Sequence, residues 1–270
     1  MKFYNLLIII SLSCSIAHAA EDKEDTMFSC GLHTSAGNPA QSDSYLCRKT
    51  YAVGYNYKHK APDWTSFYLN SYYVNINVPM GEDKVEVDSV IPSEHRVKLF
   101  RYRKSVYVPA SLLPRSSLSI DPITTQQSKL QSNTAPMMDS FYNDIWSPLL
   151  KGFKHWTINF DGDVIGYTGT YYQPSGDEDT PFDYSSAIKA NIPNYFFLVA
   201  YNIKSKESIA FLLPHEKISF IDINKYRTTI DDIETLTGFK FLAFEDPEVA
   251  SKTKSIVNED WSISSVLKLD

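Results

Sequence analysis

The chain has 270 residues, of which 43% are hydrophobic and 14% aromatic, and its formal net charge is −6. The hydrophobic fraction is too high for a disordered chain, and 10 glycines with 14 prolines exclude a collagen-like or low-complexity protein. No apolar run reaches the roughly 18 residues of a membrane helix. The net acidity argues against nucleic-acid binding that is driven by overall charge alone.

The N-terminus has the pattern of an export signal. Lys2 provides a positive charge, an apolar stretch follows it, and Ala17-His18-Ala19 is a typical cleavage site. We therefore predict a signal peptide over residues 1–19, cleavage before Ala20, and a periplasmic or secreted protein without a stable membrane span. Cys14 leaves a lipoprotein as the alternative, although the residues before it fit a lipobox poorly.

Two cysteines, Cys30 and Cys47, remain after removal of the signal. In an oxidising compartment an isolated pair is most simply one disulfide, which closes a loop of about 17 residues. Two free thiols are the alternative. The sequence argues against a metal site, because it offers only two thiols and no histidine pair at ligand spacing.

The first half of the mature chain predicts β-strands. Residues 51–55 and 66–69 alternate apolar and polar side chains and contain many aromatic residues. Residues 71–79 have a similar character and predict a third strand. Residues 115–135 are rich in Ser, Thr, Gln and Asp, which is typical of a long connection.

The stretch from His95 to Tyr107 is unusually basic. It contains five cations within nine residues, namely Arg96, Lys98, Arg101, Arg103 and Lys104. One interpretation is a patch that faces the phosphates of a nucleic acid, and the other is the solvated face of a strand. In a strand, Lys98, Arg101 and Arg103 do not share one face, because successive side chains alternate.

The second half predicts a mixture of helices and strands. Residues 139–150 have helical spacing, with Asp139 as the N-cap, and Pro148 is expected to kink or end the helix. Asp161-Gly162-Asp163 predicts a turn, with a cation site as the alternative. The other elements are a strand at 157–172 with a turn at Gly169, a strand pair at 195–201 and 207–213, a helix from Thr229 to a stop at Gly238, and a strand at 239–244. The residues therefore predict one mixed α+β domain.

Short motifs follow one another along most of the mature chain. They are Leu46-Cys47-Arg48-x-x-Tyr51-x-x-Gly54-Tyr55-Asn56, Lys60-Ala61-Pro62-x-Trp64-x-x-Phe67-Tyr68-Leu69, Ser132-Asn133-x-x-Pro136, Phe141 with Trp146, Thr168-Gly169-x-Tyr171, Ile192-Pro193-x-x-Phe196 and the segment from Thr229 to Gly238. In order and spacing the chain resembles the DNA/RNA non-specific endonucleases, the ββα-metal or His-Me finger class. The resemblance implies a central antiparallel sheet with flanking helices at residues 37–250, between a leader at 20–36 and a polar tail at 251–270.

The resemblance also implies a mechanism and its residues. Such enzymes cleave phosphodiesters with a histidine as the general base and one Mg²⁺ that is held by an asparagine and water. The family places the histidine in an Asp-Arg-Gly-His motif after Ser-Gly-Tyr. It places the asparagine four residues before a tryptophan, and a supporting glutamate four residues after that tryptophan.

None of these three positions carries the expected residue. With Ser105-Val106-Tyr107 aligned on Ser-Gly-Tyr, the histidine position is Ser111, whose hydroxyl cannot act as a base near neutrality. Counting back four residues from Trp146 gives Tyr142 at the ligand position, and a neutral phenol is a poor Mg²⁺ ligand. Leu150 takes the glutamate position. We therefore predict a degenerate active site that holds no Mg²⁺.

Three hypotheses about function follow. The first is a binding protein on a nuclease scaffold, with nucleic acid or another protein as its partner. The second is an active nuclease with a rearranged centre, which uses Asn143 as the ligand, His95 or His155 as the base, and Arg101 or Arg103 on the phosphate. For Asn143 to replace Tyr142, the helix must turn by about 100°, which needs a kink or a bulge. The third is a protein-interaction module without a nucleic-acid role, and the oligomeric state stays undefined.

Overall fold

The computed structural model describes residues 30–76, 78–82, 84–159, 162–176, 182–259 and Trp261. The predicted export signal and Asp161 lie outside the described residues. The strands are β1 (Ser44–Cys47), β2 (Tyr51–Asn56), β3 (Ala61–Leu69), β4 (Tyr107–Ser111), β5 (Thr134–Met138), β6 (Val164–Tyr171), β7 (Tyr184–Ser185), β8 (Ala190–Asn191), β9 (Tyr195–Asn202), β10 (Ser208–Pro214) and β11 (Arg227–Thr228). The α-helices are α1 (Ser71–Asn75), α2 (Arg115–Leu118), α3 (Pro122–Ser128), α4 (Asp139–Phe141), α5 (Ser147–Asn159), α6 (Ile230–Thr237) and α7 (Pro247–Lys254). None of the described helices has the length and hydropathy needed to cross a bilayer.

The main sheet has seven antiparallel strands in the order β1-β2-β3-β6-β9-β10-β11. This confirms the predicted α+β fold with a central antiparallel sheet and flanking helices. The predicted strands at 51–55 and 66–69 are confirmed as β2 and the end of β3. The predicted pair at 195–201 and 207–213 is confirmed as β9 and β10, which are joined in register by Ala210 opposite Val199.

Both faces of the sheet are covered, and the central strand β9 shows this most clearly. Phe196, Leu198 and Ala200 point into a core shared with α5 and with the strand pair β4–β5. Phe197 and Val199 point to the other face, into a core shared with α6 and α7. Because side chains alternate along a strand, a strand buried on both faces needs an unbroken apolar run such as this one.

The strand pair β4–β5 and the helix after it form the ββα element of the fold. β4 and β5 are antiparallel, with Tyr107 opposite Met138 and Ser111 opposite Thr134. The helical segment follows β5 without a loop: α4 continues into a π-helical segment, Tyr142–Trp146, and then into α5. This element contains all three positions that the resemblance assigned to the active site, Ser111, Tyr142 and Leu150.

The helix differs from its prediction at both ends. Met138 rather than Asp139 is the N-cap residue, and Asp139 is the first residue of α4. Pro148 does not end the helix, because α5 continues to Asn159. Proline lacks the backbone N–H that a regular α-helix needs. The π-helical turn directly before Pro148 already departs from the α-helical hydrogen-bond pattern, so the helix continues past this residue.

Three predicted strand or loop segments are wrong. Residues 71–75 of the predicted strand 71–79 form α1, because the Asn70 side chain accepts a hydrogen bond from Tyr73 N and caps the helix. Residues 157–159 belong to the end of α5, and the strand begins only at Val164. The supposed connection 115–135 contains α2, α3 and a 3₁₀ turn at Gln131–Asn133.

Two further assignments of local structure also fail. Gly169 lies inside β6 opposite Trp64 instead of in a turn, and a Cβ at this position would lie 2.3 Å from Asp63 O. Residues 239–244 form no strand: Phe241 is buried, and its N–H donates to the buried Glu234 carboxylate rather than to a neighbouring strand. The helix from Thr229 to Gly238 is confirmed, with a capping box at its start and a left-handed Gly238 at its end.

The disulfide between Cys30 and Cys47 is confirmed, with their Cα atoms 5.4 Å apart. It joins the N-terminal segment to β1. That segment belongs to the packed structure, because His33 is buried and its carbonyl accepts a hydrogen bond from Ser66 on β3. At the other end of the chain, Trp261 is fully buried against Trp156, with ring centroids 5.9 Å apart.

Replacing both cysteines of this disulfide by serine is expected to lower the free energy of unfolding by about 3 kcal/mol. The cross-link restricts a loop of about 17 residues in the unfolded chain, and its removal restores that entropy. Urea denaturation of the variant and of the oxidised protein measures the difference. The oxidised protein treated with a thiol reductant should match the variant, and equal stability of all three samples would contradict the prediction.

Candidate functional site

Ser111, the predicted counterpart of the family histidine, is a structural residue at the end of β4. Its side chain is 3% exposed, and its Oγ accepts a hydrogen bond from Leu113 N at 3.1 Å. The same hydroxyl lies 3.3 Å from Asn133 Oδ1, and the Ser111 carbonyl accepts a bond from Trp146 Nε1 at 2.9 Å. The hydroxyl is therefore committed to the interior, while the Ser111 carbonyl links β4 to the helix of the ββα element.

The surface of the ββα element carries a groove made of two adjoining hollows, which we call the ββα groove. The larger hollow, of about 460 Å³, is lined by Glu82, Lys84, Val85, Leu99, Phe100, Arg103, Val108, Pro109, Arg115, Asp139, Tyr142 and Asn143. The smaller, of about 220 Å³, is lined by Met80, Leu113, Pro114, Arg115, Ser116, Tyr142, Ser147, Leu150 and Lys151. Tyr142 and Arg115 line both hollows, and Leu150 lines the smaller one, so two of the three predicted site positions belong to this groove.

The predicted site positions do not suit Mg²⁺, which takes oxygen ligands in near-octahedral geometry. Leu150 offers no donor atom, and the Ser111 oxygen is used by internal hydrogen bonds. Tyr142 offers only a phenol in place of an amide oxygen. The chemistry of this donor set does not match the metal of the family.

Asn143, the alternative ligand, also lines the larger hollow. It follows Tyr142 within the π-helical segment, the kind of helix irregularity that a one-residue displacement needs. Its amide nitrogen donates to Asp139 Oδ1 at 3.1 Å. The groove wall thus presents an amide and a carboxylate that are joined to each other, in addition to the carboxylate of Glu82.

The two histidines considered as bases lie elsewhere. The His95 ring stacks on Tyr57, with centroids 4.2 Å apart and an interplanar angle of 14°. His155 is on α5, with both ring nitrogens within 2.8 Å of the Asn159 amide nitrogen. Neither is among the residues that line the ββα groove in the described parts of the chain.

A histidine that the sequence did not single out, His215, lies directly behind β5. Its Nε2 accepts a hydrogen bond from Met138 N at 2.8 Å, and its Nδ1 lies 2.9 Å from Pro193 O. Burial lowers the pKa of His215 from 6.5 to about 4, so the ring is neutral near pH 7. Both ring nitrogens are used by hydrogen bonds to the backbone, so His215 supports the structure. No local signal identifies it, because Met138 is 77 residues away.

The basic run is not a strand, which corrects one of its two interpretations. Residues Ser93–His95 and Leu99–Lys104 form 3₁₀ helices. With three residues per turn, positions three apart lie on the same side of such a helix. Arg101 and Lys104 therefore lie on the same side of this helix, and Lys98 is the residue directly before it. We call these three cations the cationic ridge.

The other residues of this 3₁₀ helix have different positions. Tyr102 is buried, whereas Phe100 and Arg103, again three residues apart, line the ββα groove. Arg96 lies before the helix, and its guanidinium donates to Asp88 O at 3.0 Å, which is a structural contact. Of the five predicted cations, Arg103 faces the groove, three form the ridge, and one supports the fold.

Comparisons with known proteins agree with this geometry. The family model described as DNA/RNA non-specific endonuclease matches residues 31–246. The nuclease of Syncephalastrum racemosum is 26% identical over 222 residues, which are 76% of this chain and 69% of that protein. Nuclease C1 of Cunninghamella echinulata var. echinulata is 23% identical over 214 residues, which are 76% of this chain and 85% of that protein.

A solved structure shares the fold. A chain of the EndoG/EndoGI complex matches with a TM-score of 0.72 and 20% identity, over 85% of this chain and 96% of that chain. The model of the family covers most of the sequence and includes the strand pair β4–β5 and the helix that follows it. This protein belongs to the DNA/RNA non-specific endonuclease family.

Proposed function

We propose that this protein is an exported member of the family whose nuclease centre is catalytically impaired, and that it binds nucleic acid. One observation carries the proposal: the base, ligand and carboxylate positions are occupied by Ser111, Tyr142 and Leu150. The Ser111 hydroxyl points inward and is used by internal hydrogen bonds. The Tyr142 and Leu150 side chains line the groove where substrate chemistry would occur. The disulfide between Cys30 and Cys47 supports export to an oxidising compartment.

Losing the functional residue at three positions at once lowers the rate of cleavage more than any single loss. A general base typically contributes 10²–10⁴-fold in rate, and a catalytic metal adds several kcal/mol of charge stabilisation. One substitution can be compensated by a neighbouring group. Here neither of the histidines considered as a replacement base is among the described lining residues, and the ligand position offers no amide.

The purified, oxidised protein is expected to cleave plasmid DNA and RNA at least roughly 10⁴-fold more slowly than an active family member, with either Mg²⁺ or Mn²⁺. An in-gel nuclease assay ties any cleavage to the protein band, and the Syncephalastrum racemosum nuclease serves as the positive control. Cleavage at the band that is abolished by EDTA would overturn the proposal of an impaired centre.

Binding is expected to depend on salt through the cationic ridge. Replacing Lys98, Arg101 and Lys104 by glutamine should reduce the slope of log affinity against log salt by up to about 2, since each phosphate contact on single strands contributes roughly 0.7. Fluorescence anisotropy with a labelled oligonucleotide, between about 50 and about 200 mM salt, measures this slope.

A charge-matched control separates local contact from net charge. The exposed lysines Lys217, Lys225 and Lys252 lie outside the ββα groove, and their replacement by glutamine removes the same charge. This control is expected to retain the original slope. Equal loss in both triple variants would leave no specific role for the ridge. Absence of any nucleic-acid binding would favour a protein partner instead.

One observation favours a second candidate, an active nuclease with a rearranged centre. Asn143 lines the groove from within a π-helical segment and lies next to Asp139, so an amide and a carboxylate oxygen are available there. If the cleavage assay is positive, Asn143→Ala should abolish that activity. Activity that survives this substitution would remove the second candidate as well.

A further inference from the structure

The ββα groove is lined by two aromatic rings, one of them at the position assigned to the metal ligand of the family. Phe100 lines the larger hollow, and its side chain is 60% exposed. Tyr142 takes the ligand position and lies between the two hollows. Val108 and Pro109 stand where the family motif has aspartate and arginine, so part of the groove wall is apolar. A groove with such walls suits a flat, partly apolar group better than a hydrated cation.

The charge of the groove differs from that of the whole chain. Its described lining residues include four cations, Lys84, Arg103, Arg115 and Lys151, against two acids, Glu82 and Asp139. Asp139 accepts a hydrogen bond from Asn143, which partly satisfies its charge. The cationic ridge continues from the same 3₁₀ helix. A protein with a net charge of −6 thus has a local excess of positive charge at this groove.

Phe100 is also part of a mixed ring-and-cation surface. The Arg101 guanidinium carbon lies 5.6 Å from the centroid of the Phe100 ring, within the usual distance of a cation–π contact. Arg101 belongs to the ridge, so the ring joins the ridge to the groove. Proteins that bind single-stranded nucleic acid combine a basic groove for the backbone with rings on which successive bases stack.

We propose that the ββα groove binds single-stranded nucleic acid without a metal ion, with bases stacked on Phe100 and Tyr142 and phosphates held by the surrounding cations. This inference rests on the proposed nucleic-acid-binding function. A base in a duplex keeps both faces covered by its neighbours, so only an unpaired base can offer a face to these rings. The residue that replaces the metal ligand therefore gives the groove a new binding chemistry.

The test compares a labelled single-stranded oligonucleotide with its duplex, in EDTA, by fluorescence anisotropy with the oxidised protein. The single strand is expected to bind at least tenfold more tightly. Phe100→Ala and Tyr142→Ala should each weaken single-strand binding roughly 5- to 100-fold, the usual contribution of one stacked base. Tyr142→Phe keeps the ring and should retain the affinity within about twofold.

The outcomes separate this inference from the function on which it rests. If neither nucleic acid binds, the proposed function fails and the inference fails with it. If the duplex binds equally well, or the two ring variants bind like the original protein while the ridge variant is weakened, binding stands but stacking is overturned. Thermal unfolding of each variant checks its fold, and Phe100→Ala changes only an exposed side chain.

Photochemical cross-linking gives a readout that does not depend on the folding of a variant. A single strand that contains bromodeoxyuridine is irradiated with the unchanged protein, and the cross-linked peptide is identified by mass spectrometry. Adducts on Phe100 or Tyr142 support the inference. Adducts only at positions outside the ββα groove would overturn it.

Discussion

Replacing Asp88 by alanine is expected to lower the free energy of unfolding by about 3–5 kcal/mol, the usual effect of removing one partner of a buried ion pair. The Asp88 side chain is 4% exposed, and its Oδ2 lies 2.5 Å from Arg48 Nη2 and 2.5 Å from Ser132 Oγ. The variant would leave the guanidinium of Arg48, itself only 15% exposed, without its anion. An uncompensated charge in a buried position is costly because water cannot solvate it.

Asp88 also supports the segment that leads to the basic run. Its carbonyl accepts a hydrogen bond from Arg96, eight residues later, and its side chain connects that segment to Arg48 after β1 and to Ser132 before β5. The segment just before the cationic ridge is therefore held in place by contacts of the buried Asp88. Asp88→Ala keeps the carbonyl that Arg96 contacts and removes only the side-chain bonds to Arg48 and Ser132, and the loosening of this segment should weaken nucleic-acid binding.

Urea denaturation of Asp88→Ala measures the effect on stability, and Asp222→Ala is the matched control. Asp222 pairs with Lys225 at 2.6 Å on the surface, where both side chains are largely exposed. Such pairs contribute about 0–1 kcal/mol, so the control should remain close to the original protein. A double variant that also lacks Arg48 should lose less than the sum of the two single changes. Equal, small effects at Asp88 and Asp222 would contradict the prediction.

The parts of the fold that the sequence predicted are those encoded at short range. The apolar run of β9 and the alternation in β2 identify strands directly, because burial on one or both faces imposes these patterns. The capping box at Thr229 and the glycine at 238 likewise define both ends of α6 within ten residues. These elements needed no knowledge of the rest of the chain.

The parts that the sequence missed depend on long-range contacts or on uncommon geometry. The 3₁₀ helix at Leu99–Lys104 has a period of three, which is neither the strand nor the α-helix period, so the shared side of Arg101 and Lys104 was not predicted. Residues 239–241 have strand-like composition, but Lys240 N donates to Pro39 O, far away in the chain, and Phe241 N donates to Glu234, so the segment pairs with no described strand.

The candidate site likewise has features that the sequence predicts and features that it misses. Motif spacing assigned Ser111, Tyr142 and Leu150 to the catalytic positions of the family, and the structure places these residues at the end of β4, in the π-helical segment and in α5. The direction of the Ser111 hydroxyl and the contribution of Phe100 to the groove could not be predicted. Both depend on how segments more than 20 residues apart pack together.

The stability of the protein is expected to fall by about 3 kcal/mol for each pH unit near pH 5 as the solution is acidified. Burial lowers the pKa values of His33, His59 and His215 from 6.5 to about 4. Between these values the unfolded chain binds a proton at each site and the folded chain does not. The contribution of each neutral histidine is complete above pH 6.5 and is lost as the pH falls toward 4.

Asp63 acts in the opposite direction. Burial raises its pKa from 3.8 to about 6, although hydrogen bonds from Ser42 and Asn56 oppose the shift. Between pH 4 and 6 the folded chain therefore holds one proton that the unfolded chain has released. The contribution of Asp63 is complete below pH 3.8 and is lost as the pH rises through 6. Three protons taken up on unfolding and one given off leave a net uptake of roughly two near pH 5.

Two variants should move this slope in opposite directions, which makes the interpretation specific. Urea denaturation at a series of pH values between about 4.5 and about 7 gives the slope of unfolding free energy against pH. His215→Gln should reduce the net uptake by about one proton, because its site no longer titrates. Asp63→Asn should increase it by about one, because the opposing site is removed. A slope near zero in the original protein, or equal slopes in the two variants, would mean that the buried histidines and Asp63 do not control the response to acid.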